Sequence, residues 1–335
     1  MKLEDKIKKS LIKFKPNLND KNILTEAATG NYIVTPIIAA LSGGNVFALA
    51  KNTKYGTVEF IKEQTYALAK KMNLDKQITI IESYNEIDLT KIDILTNTGF
   101  NRPITRNIID KLNPNAVIPL MWEPWEFRPN EIDIEACHKK GIKIYGTNES
   151  DYRLQTQLYI GYIVLHFLLA NSISPKSGNV LIIGDLHFGK AISTVLKKLE
   201  YSFTWNSNYK VGYQEKDYDA IIFAEHQDNT SLVGENGYIK PSQIDKNCLL
   251  IHISGNVNFS NIKCKTIPSK PANYGHMSYT ADYIDSMAVI DLHCAGLKVA
   301  EGMLKANMKN LEKKEYKDFM ESNYPALSFE NEKYW

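Results

Sequence analysis

Asn179-Val-Leu-Ile-Ile183-Gly184-Asp185-Leu186-His187-Phe188-Gly189-Lys190 decides the fold class of this chain. Val180 to Ile183 is apolar without alternation, the pattern of a strand buried on both faces, as in a parallel sheet covered by helices. A helical pattern follows at 190–199 and a second strand at 202–205. In such a strand–turn–helix unit the first glycine permits the tight turn, and the last lets the helix pack closely on the strand. The helix N-terminus then presents free N–H groups and a positive dipole end to a pyrophosphate. Leu186 stands where a middle glycine would let backbone approach the phosphates. Two readings therefore stay open, a dinucleotide-binding turn and a purely structural one. Context favours the first, since a strand precedes the turn and a helix follows it.

An acidic residue about 20 positions on would bind a ribose 2′-OH. Here the second strand ends in Asn206, Ser207 and Asn208, with Lys210 behind. Without a carboxylate nothing repels a 2′-phosphate, which tilts the expected cofactor, NAD or NADP, towards NADP. The expected cofactor-binding residues are Gly184, Asp185, Leu186, His187, Phe188 and Gly189 in the turn. Asn206 and Ser207 join them at the next strand end, and Ser254 and Gly255 after the strand at 249–253.

Ahead of this unit, 171–178 is a Ser/Pro/Gly break, and 151–170 reads as one long buried helix. Further upstream, strand patterns at 22–27, 45–50, 78–82, 92–97, 116–120 and 143–145 alternate with helical patterns at 31–41, 57–72, 104–112 and 132–139. Downstream come strands at 220–224, 249–253 and 264–267, then a helical return over 293–313. At 335 residues, two domains are the default, and the alternation makes both α/β. The 40 basic and 38 acidic residues balance to +2, giving no electrostatic footprint for nucleic acid. The four cysteines show no paired spacing, so neither a disulfide framework nor a zinc or other metal site is expected. No apolar run reaches the roughly 20 residues that span a bilayer, and the lysine-rich amphipathic start lacks a signal-peptide core. These features predict a cytoplasmic protein with no membrane partner.

Arginine occurs only at Arg102, Arg106, Arg128 and Arg153, so each is a candidate anion clamp as well as a surface charge. Arg102 follows Asn97-Thr98-Gly99, and Arg128 closes the aromatic stretch beginning Met121-Trp122, which reads as a cleft wall or a dimer contact. Candidate substrate contacts are Asn97, Thr98, Arg102, Trp122, Arg128 and Lys270, with Glu26, Gly30 and Asn31 at the first strand-to-helix turn. His276 is a further loop histidine whose simplest role is structural.

Four stretches together resemble the D-isomer-specific 2-hydroxyacid dehydrogenase family: Asp93 to Ile109, Ile132 to Asn148, Gly184 to Ile192, and His293-Cys-Ala-Gly296 with Val299, Glu301 and Met303. The last is similar to the family's His-x-Ala-Gly motif and returning helix. The resemblance implies a flavodoxin-like substrate lobe, 1–150 plus 294–335, interrupted by a Rossmann-type dinucleotide-binding lobe with a parallel sheet, 151–293. It also implies a homodimer. His293 would be the catalytic acid/base, following a strand and projecting toward the other lobe, since an imidazole gives and takes a proton near neutrality.

Two family groups are missing. Ser254-Gly255-Asn256 stands in place of the arginine that clamps a substrate carboxylate, and Ser269-Lys270-Pro271 in place of the glutamate that orients the histidine. The expected activity is thus a nicotinamide-dependent oxidoreductase on a small polar carbonyl or alcohol, other than a simple 2-hydroxy acid. Two rivals stand beside it: an enzyme using bound NAD for transient oxidation within a lyase, hydrolase or cyclase reaction, and a catalytically silent dinucleotide-sensing module.

Overall fold

The structure is a computed structural model and describes residues 1–74, 76–209, 213 and 217–329. The chain divides into two compact units, 1–154 with 286–335, and 155–285.

The first unit opens with α1 (Leu3–Phe14), β1 (Asn22–Glu26), α2 (Val34–Leu41), β2 (Asn45–Leu49), α3 (Val58–Lys71) and β3 (Ile78–Ile81). It continues through β4 (Ile94–Leu95), α4 (Arg106–Ile109), β5 (Val117–Pro119), α5 (Ile134–Lys140) and β6 (Lys143–Thr147). Successive strand residues face opposite sides of a sheet, and the packing follows that rule. Ile23, Val46, Ile94 and Val117 pack with α1, α2 and α3, whereas Leu24, Leu49, Leu95 and Ile118 pack with α4 and α5.

The second unit holds α6 (Leu158–Ala170), β7 (Asn179–Gly184), α7 (Phe188–Lys198), β8 (Ser202–Asn206), β9 (Ala220–Ala224), β10 (Ser231–Val233), β11 (Leu249–Ser254), β12 (Asn256–Val257) and β13 (Lys265–Ile267). Its main sheet runs β13-β11-β9-β7-β8, every pair parallel. Leu181, Ile183, Ile221, Phe223 and Leu250 pack with Leu232, Val233 and Ile239 on one side. β10 and β12 form a small parallel pair of their own.

The chain then returns to the first unit with α8 (Met287–Met308), α9 (Lys313–Asn323) and β14 (Ala326–Leu327). β14 pairs antiparallel with β6, so the first sheet runs β14-β6-β5-β4-β1-β2-β3. α8 joins α1 and α2 on the Ile23 face, burying Ile290, Leu297, Val299 and Met303. Burying one such side chain contributes roughly 1.5–3 kcal/mol. Lys13 pairs with Asp291 at 2.5 Å, tying α1 to α8.

The mostly parallel α/β architecture expected from the sequence is present in both units. Strand order differs between them in a way no local pattern disclosed. Counting within each main sheet, the first runs 3-2-1-4-5-6-7, its last strand antiparallel, and the second 2-1-3-4-5. Each order reverses beside its first strand.

Four expected boundaries are corrected. The long helix at 151–170 begins only at Leu158. The Asp151 carboxylate accepts from the Arg153 backbone and guanidinium, and Gln155 takes a left-handed φ of 49°. Local side-chain-to-backbone bonding of this kind competes with helix formation. The returning helix starts at Met287 rather than His293, because Val289, Ile290, Cys294 and Leu297 recur at helical spacing on a buried face. The second domain border accordingly falls before Ser286 instead of at 293/294, and the first after Leu154 instead of 150.

Candidate functional site

Ligands of open α/β sheets bind outside the carboxyl ends of the strands, where strand order reverses. In the second unit that point lies between β7 and β9. Gly184 ends β7 there, opposite Ala224 of β9. A Cβ at Gly184 would stand 2.8 Å from the Ala224 carbonyl oxygen and 3.1 Å from Gly189 Cα. One at Gly189 would stand 2.4 Å from Trp205 Nε1 and 2.9 Å from the Gly184 carbonyl oxygen. Trp205 Nε1 donates to that same carbonyl at 3.0 Å. Both glycines are therefore required by close backbone approach. Leu186 projects outward, 67% exposed.

The backbone donors of this turn are already engaged. Asp185 Oδ1 accepts from the backbone N–H of His187 at 2.8 Å and of Phe188 at 2.7 Å, and Oδ2 accepts from His226 N–H at 2.8 Å. Gly189 N–H donates to the Asp185 carbonyl. A carboxylate thus occupies the helix N-terminus, where anions are stabilised by unsatisfied N–H groups. At the end of β9, Glu225 is also buried. It accepts from the N–H groups of Gln227 and Asp228 and from the Tyr209 hydroxyl at 2.5 Å. That bond and burial push the Tyr209 phenol far above its ordinary range.

The remaining candidates in this unit divide. Asn206 donates to the Tyr238 hydroxyl at 2.7 Å and accepts from Asn208 N–H at 2.9 Å. Ser207 is exposed, and Lys210 lies outside the described residues. Ser254 is buried at the end of β11 with its hydroxyl unpartnered. The Gly255 carbonyl accepts from His252 Nε2 at 3.1 Å. Lys270 and His276 are both exposed. Among the described residues no cluster of three metal-ligating side chains occurs.

In the first unit the switch point lies between β1 and β4. Thr25 and Thr96 bond across it at 2.8 Å, so alternation sets Glu26 and Asn97 together on the opposite face. Asn97 is fully buried, and neither its amide oxygen nor its nitrogen has a partner. Thr98 Oγ1 bonds Thr96 Oγ1 at 2.9 Å. Glu26 accepts from Phe100 N–H at 3.2 Å, and burial raises its carboxyl to about 6. Arg102 is not a free clamp: it pairs with Glu131 at 2.7 Å and stacks on Trp122 at 4.8 Å. The segment ending at Arg128 is tied down. Trp125 Nε1 donates to Glu123, Glu123 accepts from Glu149 N–H, and burial with the neighbouring carboxylates drives Glu126 well above the usual range.

Glu26 carries a pH-dependent prediction. Its folded pKa of about 6 exceeds the ordinary 4.5, so native burial penalises the ionised form above pH 6 and costs nothing below 4.5. Glu26→Gln should therefore raise the unfolding free energy by about 2 kcal/mol near neutral pH and leave it unchanged in acid. Urea unfolding at the two pH values reads the difference. Equal effects at both would remove the burial penalty from the account.

His293 lies inside α8 rather than at a strand–helix junction. Its Nδ1 bonds Thr35 Oγ1 of α2, and its ring tilts against Tyr32 at 5.9 Å. Nε2 makes no hydrogen bond among the described residues. Burial lowers the imidazole to about 4, so it is neutral at physiological pH. With Nδ1 on Thr35, Nε2 is the open nitrogen, a proton acceptor in one tautomer and a donor in the other. Sequence reasoning missed Thr35, Glu225 and Tyr209. Asp185 was named, but its capping role was not.

This arrangement defines a two-unit protein, each unit built on a mostly parallel sheet, with one glycine turn and two polar strand-end clusters. Among solved structures, the chain is similar to a dipicolinate synthase from Bacillus halodurans. That likeness has 9% identity and a TM-score of 0.50, covering 86% of this chain and 98% of the other. It shows a shared fold. D-lactate dehydrogenase with NAD+ from Lactobacillus jensenii aligns at 12% identity and a TM-score of 0.49, over 85% of this chain and 97% of that one. No family model and no curated protein matches the sequence. Among the described residues no helix is long and apolar enough to cross a membrane.

Proposed function

We propose that the chain is a nicotinamide-dependent oxidoreductase acting on a small polar carbonyl or alcohol, other than a simple 2-hydroxy acid. The observation that carries this reading is the turn from Gly184 to Gly189, set at the switch point of a parallel sheet and closed to any side chain at both glycines. The cofactor supplies or takes the hydride. The unpartnered Ser254 hydroxyl would help hold it, and the His187 and Phe188 amides would do so once the Asp185 carboxylate is displaced. His293, oriented by Thr35, exchanges the proton at the substrate oxygen through Nε2. Asn97 offers an unsatisfied donor and acceptor to the substrate, and the missing arginine argues against a carboxylate there. The test is nicotinamide absorbance during incubation with polar alcohols and NAD+ or NADP+, the direction in which a neutral His293 accepts the proton. Failure across such a panel by a protein that binds the cofactor would favour the silent-module reading, which the Asp185 bonds also support.

Within this reading NADP is preferred over NAD, since no carboxylate lies in Asn206-Ser207 at the end of β8. Asn206→Asp should reverse the order by setting a negative charge beside the 2′-phosphate. Titration of both variants with NADPH and NADH decides it. A wild-type preference for NADH refutes the NADP assignment and leaves the oxidoreductase reading intact.

A further inference from the structure

We propose that Asp185 is the specificity-determining residue of the second unit's turn, a built-in competitor that a phosphate-bearing ligand must displace. The inference rests on the reading of that turn as a dinucleotide site and names what limits it. A helix N-terminus attracts a phosphate because its first N–H groups lack partners. Here the first two, on His187 and Phe188, donate to a single Asp185 oxygen at 2.8 and 2.7 Å. The other oxygen takes the His226 N–H from the end of β9, so the carboxylate bridges both strands of the switch point. Asp185 is 5% exposed. Among the described residues no lysine or arginine pairs with it.

Glu225 adds a second buried carboxylate at the adjoining strand end, its oxygens likewise held by two N–H groups and a tyrosine hydroxyl. A pyrophosphate brought to this turn meets donors already satisfied and negative charge on the strand end beside it. Hydrogen bonds to charged groups are the strong ones, so the displacement is costly. Asp185 therefore weakens pyrophosphate binding at this turn, and adenosine-like groups without phosphate are indifferent to it.

The test is fluorescence titration of full-length wild type, Asp185→Ser and Asp185→Asn with NADH, with adenosine as the phosphate-free control. Serine keeps an N-cap acceptor and asparagine keeps the shape, so helix α7 stays capped while the charge is gone. Circular dichroism confirms folding. We expect NADH to bind Asp185→Ser at least about tenfold more tightly than wild type, with Asp185→Asn between them and adenosine unchanged. Wild-type NADH binding within about twofold of the serine variant overturns the competitor role while the oxidoreductase reading survives. Folded variants that bind no NADH at all overturn both.

Discussion

Replacing His293 with asparagine is expected to lower turnover by about 10²- to 10⁴-fold while NADH affinity stays where it was. Asparagine preserves a hydrogen-bonding group opposite Thr35 but cannot carry a proton between substrate and solvent. The pH profile separates this role from a structural one. With the imidazole lowered to about 4, the neutral, proton-accepting form persists well into acid, so the acidic limb of kcat/KM should fall near 4 rather than near the ordinary 6.5. The stability consequence has the same origin. The folded pKa lies below the unfolded one, so unfolding free energy falls as pH drops from 6.5 towards 4, by about 1.4 kcal/mol per unit. His293→Asn should flatten that slope. An asparagine variant of near-normal rate would end the catalytic assignment, whatever happens to stability.

Gly189→Ala is expected to destabilise the protein by about 1–3 kcal/mol and to abolish dinucleotide binding. The added methyl would lie 2.4 Å from the Trp205 indole nitrogen and 2.9 Å from a backbone carbonyl, and the indole is itself held by a bond to Gly184. Trp205 can move aside, whereas the Gly184 carbonyl is backbone and remains a contact at 2.9 Å. Combining Gly189→Ala with Trp205→Leu should therefore cost less than the two changes separately, a coupling expected of side chains in contact. Denaturant unfolding of the four proteins measures it. Strict additivity would mean that the glycine is not required by the indole, and that the turn's shape has some other cause.

The turn was legible because its information is local: an unbroken apolar strand, two glycines five positions apart, and a helix beginning at once. Most first-unit strands were legible for the same reason. What escaped depends on partners distant in sequence. Trp205 reaches back to Gly184 across 21 residues, and Thr35 meets His293 across 258. No spacing rule anticipates such pairs. The start of α8 was misplaced because an apolar run such as Met287 to Ile290 fits a buried strand as well as a helix. Asp185 is a different case. An aspartate just before a helix is a common N-cap, and that signal was present, but the glycines around it drew the reading toward phosphate. Arg102 shows the limit of residue type alone, since its guanidinium is committed to Glu131.

Hydrogen exchange of the full-length protein with and without NADPH tests the central claim most directly, because it locates the cofactor without requiring a known substrate. Bound dinucleotide should slow exchange at the amides of His187, Phe188 and Gly189 and at the ends of β8, β9 and β11. The effect should be larger in Asp185→Ser, where the carboxylate no longer competes. Protection of these amides would place the phosphates at the α7 N-terminus. Saturating NADPH that leaves the Gly184–Gly189 turn unchanged in both proteins, or protects only first-unit amides, would contradict the account.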